Sequence, residues 1–91
     1  MKSKYTVQAI LIAAAALLDK VGWCRGVLLN KRTGHRCLLG AIYGVTSPRT
    51  KGRQRAVNAM VAGGYNSAWN DETAKNRRQV IAAFRRVARV S

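Results

Sequence analysis

The sequence predicts an all-α protein, a compact single domain over residues 1–91 with about four helices. Three observations predict it. Ala, Leu, Arg and Lys dominate, all of them good helix formers. Pro48 is the single proline, and β-branched residues seldom alternate with polar ones. Apolar residues recur at helical spacing near both ends of the chain. With 48% apolar residues the chain differs from a disordered polycationic arm, and its length suffices for one modest core without metals or disulfides.

The first helix is expected from Thr6, a plausible N-cap, to Val21. Val7, Ile10, Leu11, Ala14, Leu17, Leu18 and Val21 form one buried stripe, which Ala9, Ala13 and Ala16 widen until both sides of the helix read as covered. Gly22 suits the left-handed position that ends a helix. Lys2, Lys4 and the apolar run Ala9–Leu18 imitate the start of a secretory signal. The run falls short of the roughly 20 residues that span a bilayer. Gln8 interrupts its start, and Asp19-Lys20 stand where small cleavage-site residues would be needed. A cytoplasmic location is expected.

Gly22 to Gly26 reads as a tight connection holding Trp23 and Cys24. The following stretch, residues 27–38, forms either a short hairpin turning at Thr33-Gly34 or a loop that feeds a second helix at Leu38–Gly44; the helical spacing of Leu38, Leu39 and Ile42 favours the loop and helix. A third helix is expected over Gln54–Ala62, ended by Gly63-Gly64. A polar connection around Trp69 then leads to a final helix from Asp71 or Thr73 to about Val90, with both acids at its N-terminus as caps.

Function is dictated chiefly by charge. Seventeen Lys and Arg stand against three acids, a net charge of +14. Self-repulsion at that density opposes a compact state, so a polyanionic partner is the economical explanation. In the last helix Val80, Ile81, Phe84, Val87 and Ala88 make a core stripe, while Lys75, Arg78, Arg85, Arg86 and Arg89 fall opposite within an arc of roughly 100°. A cationic last turn also opposes the helix dipole. An ordinary solvated helix, however, interleaves Glu, and no acid follows Glu72. Lys31, Arg32, His35 and Arg36 form a second cluster, and Arg49, Lys51, Arg53 and Arg55 a third. Arg outnumbers Lys eleven to six, which suits bidentate phosphate binding.

Catalysis and metal binding are not expected. One histidine and three acids give no convergent set of titratable groups. Cys24, His35 and Cys37 would supply three zinc ligands without a Cys-x-x-Cys pair or a fourth member, so no cofactor or metal is expected. The two thiols read as reduced and buried. Trp23 and Trp69 read as anchors of loops against a small core rather than as stacking platforms for bases. No zinc-finger, RNP, KH or leucine-zipper pattern appears. The segment between Ala56–Tyr65 and the last helix is long for a helix-turn-helix, which leaves base-specific reading a minor alternative.

Three segments carry a resemblance: Gly22-Trp23-Cys24-Arg25-Gly26, Cys37-Leu38-Leu39-Gly40-Ala41, and Trp69-Asn70-Asp71 followed by Val80-Ile81-Ala82-Ala83-Phe84-Arg85-Arg86. In order and spacing they resemble a family of small uncharacterised proteins of actinobacteria and their bacteriophages, over most of Leu17–Arg89. The resemblance implies a compact helical domain and a phage or mobile-element setting, and it brings no activity. Its pattern has Gln where Arg25 stands and acidic turn residues where Lys31, Arg32 and Thr33 stand, so the positive charge marks a departure from it.

The expected function is a phage-encoded, non-enzymatic protein that binds DNA or RNA mainly through the phosphate backbone. The alternative is a module docking on an acidic host protein or on a ribonucleoprotein such as the ribosome. A membrane-surface role is not expected, since no exposed aromatic or Leu face accompanies the charge.

Overall fold

In the computed structural model, which describes residues 6–91, helix α1 (Val7–Val21) leads to α2 (Leu38–Gly44) and α3 (Gly52–Ala62). A π-helical turn at Trp69–Thr73 then precedes α4 (Arg77–Arg89). The expected all-α class and the four helices hold, and the described residues include no strand. Lys2 and Lys4 lie outside the described residues.

The Thr6 hydroxyl caps α1 by accepting from the Ala9 amide at 3.1 Å. Gly22 ends it at φ +97°, its N–H donating to the Leu18 carbonyl at 2.9 Å. Ile10, Leu11, Ala14, Ala15 and Leu18 are buried, but Ala16 is exposed and Ile12 is 52% exposed. The expectation that α1 is covered on both sides is thereby corrected: one side of it meets solvent.

Between α1 and α2 the chain folds back on itself at Asn30–Gly34. The Asn30 carboxamide accepts from the amides of Arg32 and Thr33 at 3.0 and 3.3 Å, and Asn30 N–H reaches the His35 carbonyl at 2.8 Å. Pairing amounts to isolated bridges of Arg36 with Trp23 and with Leu29, so the segment is hairpin-like without forming strands. It feeds α2, as the apolar spacing predicts. The Cys37 sulfur takes the N-cap position of α2, accepting from the Gly40 amide at 3.3 Å. A Cβ on Gly40 would lie 1.9 Å from the Leu28 carbonyl oxygen. Only glycine lets the first turn of α2 rest on that loop.

Helix α3 begins two positions before the expected Gln54 and ends at Gly63. The final helix departs further from expectation. Its start is Arg77, not Asp71 or Thr73, because Ala74 is extended (ψ 134°) and breaks the helical path. Asn76 caps α4 by accepting from the Gln79 amide at 3.0 Å, while the Gln79 carboxamide accepts from Lys75 N–H at 2.8 Å. Asp71 and Glu72 therefore sit in the π-helical turn rather than capping α4. The predicted stripe of Val80, Ile81, Phe84, Val87 and Ala88 is buried. Helix α4 packs most extensively on α1, and Arg77 Nη1 donates to the Asp19 carbonyl near the end of α1 at 3.3 Å.

Asn70, 1% exposed, is the buried polar residue at the centre of these connections. Its Oδ1 accepts from Trp23 Nε1 at 2.7 Å and from Leu38 N–H at 3.0 Å. Its Nδ2 donates to the Cys24 carbonyl at 3.3 Å and to Asp71 Oδ1 at 2.9 Å. All the polar capacity of a buried carboxamide is thus used, which removes the cost of burying it. Asp71 also accepts from Gly26 N–H at 2.9 Å, and Arg25 donates to the Ala74 carbonyl while lying 5.1 Å from the Trp23 ring. Trp23, Leu38 and the Trp-Asn-Asp turn are clamped together.

Candidate nucleic-acid interface

Helix α4 is amphipathic by construction: its apolar stripe is held against the core, so the residues between are forced outward. Arg78, Arg85, Arg86 and Arg89 are all exposed. Arg78, Arg85 and Arg89 line one groove of about 370 Å³, with Asp19 of α1 on its opposite wall. Across Ala82, Arg86 lines a second groove of about 500 Å³ together with Lys75, Tyr65 and Trp69. Lys75 belongs to the connection ahead of α4, not to the helix on which it was expected. Among the arginines of α4 it shares its groove with Arg86. Arg77 was missed by the sequence reading; it is exposed at the first turn of α4.

The third cluster divides. Arg49, Lys51 and Arg55 line a groove of about 530 Å³ where the loop before α3 meets Thr6 and Val7 at the start of α1. Arg53 does not join them. Its Nε donates to the Thr46 hydroxyl at 2.8 Å, and its Nη2 to the Thr46 and Tyr43 carbonyls at 3.0 and 3.3 Å. Its guanidinium also lies 4.5 Å from the Tyr43 ring centre. Arg53 ties the α2–α3 connection together through its Nε and Nη2 donors.

The second cluster divides in the same way. Lys31 and Arg32 are exposed on the turn. Arg36 is half-buried and donates to the Gly40 carbonyl at 2.9 Å, inside the α2 turn. His35 is half-buried too, with its ring against Gly22, where an added Cβ would meet Cδ2 at 2.6 Å. The cations thus occupy the α4 side, the α3 approach and the Asn30–Gly34 turn.

The remaining chemistry is tied up in the fold. Cys37 is buried, whereas Cys24 is only half-buried, which corrects the expectation for that thiol. Cys24 Sγ lies 3.5 Å from the Val27 and His35 carbonyls. Burial, reinforced by the neighbouring Cys37, pushes its thiol up from the ordinary value. The Gly26 amide, with help from the Asn70 amide, holds the Asp71 carboxyl below the usual range. The described residues include no group of three or more His, Cys, Asp or Glu placed to hold a metal ion, and no helix long and apolar enough to cross a membrane.

Trp23 and Trp69 are both half-buried and pack against the core, as anchors should. Trp69 also meets Tyr65 edge to face, with ring centres 4.8 Å apart and planes at 76°. The part played by Tyr65 was not foreseen; its position four residues before Trp69 was the available signal.

The chain belongs to the family of unknown function DUF6197, whose model matches residues 2–90. That agrees with the resemblance to a family lacking an assigned activity. No curated protein matches the chain, and no solved structure does.

Proposed function

We propose that this protein is a small non-enzymatic nucleic-acid-binding protein that holds DNA or RNA mainly by its phosphates, as a phage-encoded factor acting in the host cytoplasm. One observation carries the reading: the outward side of α4 holds Arg78, Arg85, Arg86 and Arg89 with no acid between Arg77 and Ser91. A helix evolved merely to be solvated gains from mixed signs, and this one forgoes that gain. A rigid helix fixes register on a phosphate backbone, and the exposed loop cations Arg49, Lys51, Arg55, Lys31 and Arg32 extend the positive field around it. Fluorescence anisotropy against labelled duplex DNA, single-stranded DNA and structured RNA tests it. Submicromolar binding with a log–log salt slope of about −5, the value for roughly six phosphates, is expected. Weak, salt-insensitive binding to all three would sink the reading.

A second reading, docking on an acidic host protein or a ribonucleoprotein, is favoured by one specific observation. Val27, Leu28 and Leu29 are 51%, 46% and 37% exposed, and Val61 is 50% exposed. Two adjoining grooves that share Leu39 and Ser67 run between them, one lined by Val27 and Leu28 and the other by Val61. Exposed apolar anchors on a chain of net charge +14 suit an acidic protein surface. Leu28→Ser and Val61→Ser should spare nucleic-acid affinity; if they abolish a host-partner interaction that Arg85→Glu and Arg86→Glu leave intact, the second reading prevails.

A further inference from the structure

We infer that the groove between the π-helical turn and α4 is a binding site for unpaired nucleotides, so that the protein prefers single-stranded nucleic acid to duplex. The inference rests on the nucleic-acid reading above and adds to it where the base goes. Tyr65 and Trp69 form one wall, Arg86 and Ala82 of α4 the other, and Lys75 stands with them. The groove measures about 500 Å³ and lies open to solvent, as a passing strand requires.

Ring surface and positive charge are both needed to hold a single strand, the first for the base and the second for the phosphate on either side. This groove supplies both. The edge-to-face pair sets two ring planes at 76° along one wall. Both rings are half-buried and packed against the core, so little side-chain freedom remains to be lost on stacking. Lys75 and Arg86 are exposed, and no carboxylate lines the groove. The groove across Ala82, by contrast, includes Asp19 among its walls and no aromatic ring. It offers phosphate contacts alone. Bases of a duplex are stacked inside the helix and reach Trp69 only by being flipped out, at a cost single strands do not bear.

Oligo(dT) and oligo(U), with a duplex of equal length as comparison, are the probes. Three measurements are made on each: anisotropy, intrinsic tryptophan fluorescence and circular dichroism. In the unaltered protein both single strands should bind more tightly than duplex and quench tryptophan emission. Trp69→Phe should keep most of the affinity, since a ring remains, and lose the quenching, because Trp23 is tied to Asn70 away from the groove. Trp69→Leu should weaken single-strand binding roughly five- to a hundred-fold and leave duplex binding unchanged. Because Trp69→Leu removes core packing, Lys75→Glu with Arg86→Glu serves as a second variant at exposed positions, and it too should cost single strands more than duplex.

Equal binding of duplex and single strands, with quenching absent, would overturn the site while leaving phosphate binding intact. Equal losses for both probes in the Trp69 variants at preserved helicity would also overturn it, since Trp69 would then act only through the fold. Failure to bind any of the three probes would remove the underlying reading and the site together.

Discussion

Trp23 and Asn70, 47 positions apart in the chain, are joined by a 2.7 Å hydrogen bond from the indole N–H to the carboxamide oxygen. The same oxygen accepts from Leu38 N–H, so one buried atom fixes three segments relative to each other. Asn70→Ala strands those donors and should lower stability by about 3 kcal/mol, read as a shift in the urea midpoint. Asn70→Asp keeps the acceptor, loses both donors and sets a second carboxylate beside Asp71. It should destabilise as well, and less so at acidic pH.

Gly40 offers a test of backbone packing. The added methyl of Gly40→Ala would meet the Leu28 carbonyl, which belongs to backbone and yields little. A loss of about 3 kcal/mol is expected. Gly26→Ala meets nothing within 4 Å and suffers only from its φ of +82°, a cost of about 1 kcal/mol. Thermal unfolding of the two variants should rank them in that order.

Asp71 makes stability depend on acid. Its carboxyl is held low by the Gly26 amide first and the Asn70 amide second. A carboxyl with a lowered folded value stabilises the fold above its unfolded value, about 3.9, and that contribution fades as pH falls through the folded value. Unfolding midpoints should drop across this acid range for the parent protein and change less for Asp71→Asn. An identical acid profile in the variant would contradict this account.

Arg85→Glu, Arg86→Glu and Arg89→Glu in one chain should abolish nucleic-acid binding and leave helical circular dichroism intact, since all three side chains are exposed. Reversing charge in the last turn of α4 should cost about 0.3–1 kcal/mol per residue through the helix dipole. Collapse of the helical signal would mean that the stripe is structural.

Arg53→Met should behave in the opposite way. Its loss removes hydrogen bonds to Thr46 and Tyr43, worth about 1.5–3 kcal/mol each at most for a charged donor. Stability should fall while the salt slope of nucleic-acid binding stays close to that of the parent.

The helices were legible because each announces itself locally. Thr6 and Gly22 bracket α1, and Val80, Ile81 and Phe84 carry their period into α4. The start of α4 was misplaced although Asn76 and Gln79 form a capping pair, because Asp71 offered a competing signal five residues earlier. What the sequence withheld was long-range. Nothing near Asn70 indicates that it receives Trp23, and nothing near Arg53 indicates that it faces Tyr43 rather than solvent. The pairing of Tyr65 with Trp69 was visible as spacing, but the groove they share with Arg86 required α4 to be in place.

The carboxamide clamp lies inside the protein and the exposed cations lie outside it, so fold and surface charge rest on different residues. A relative could exchange Arg78, Arg85 and Arg89 for neutral or acidic side chains and still assemble the same interior around Asn70. What holds the chain together around Asn70 therefore says nothing of its trade, which is left to be read from its own rind.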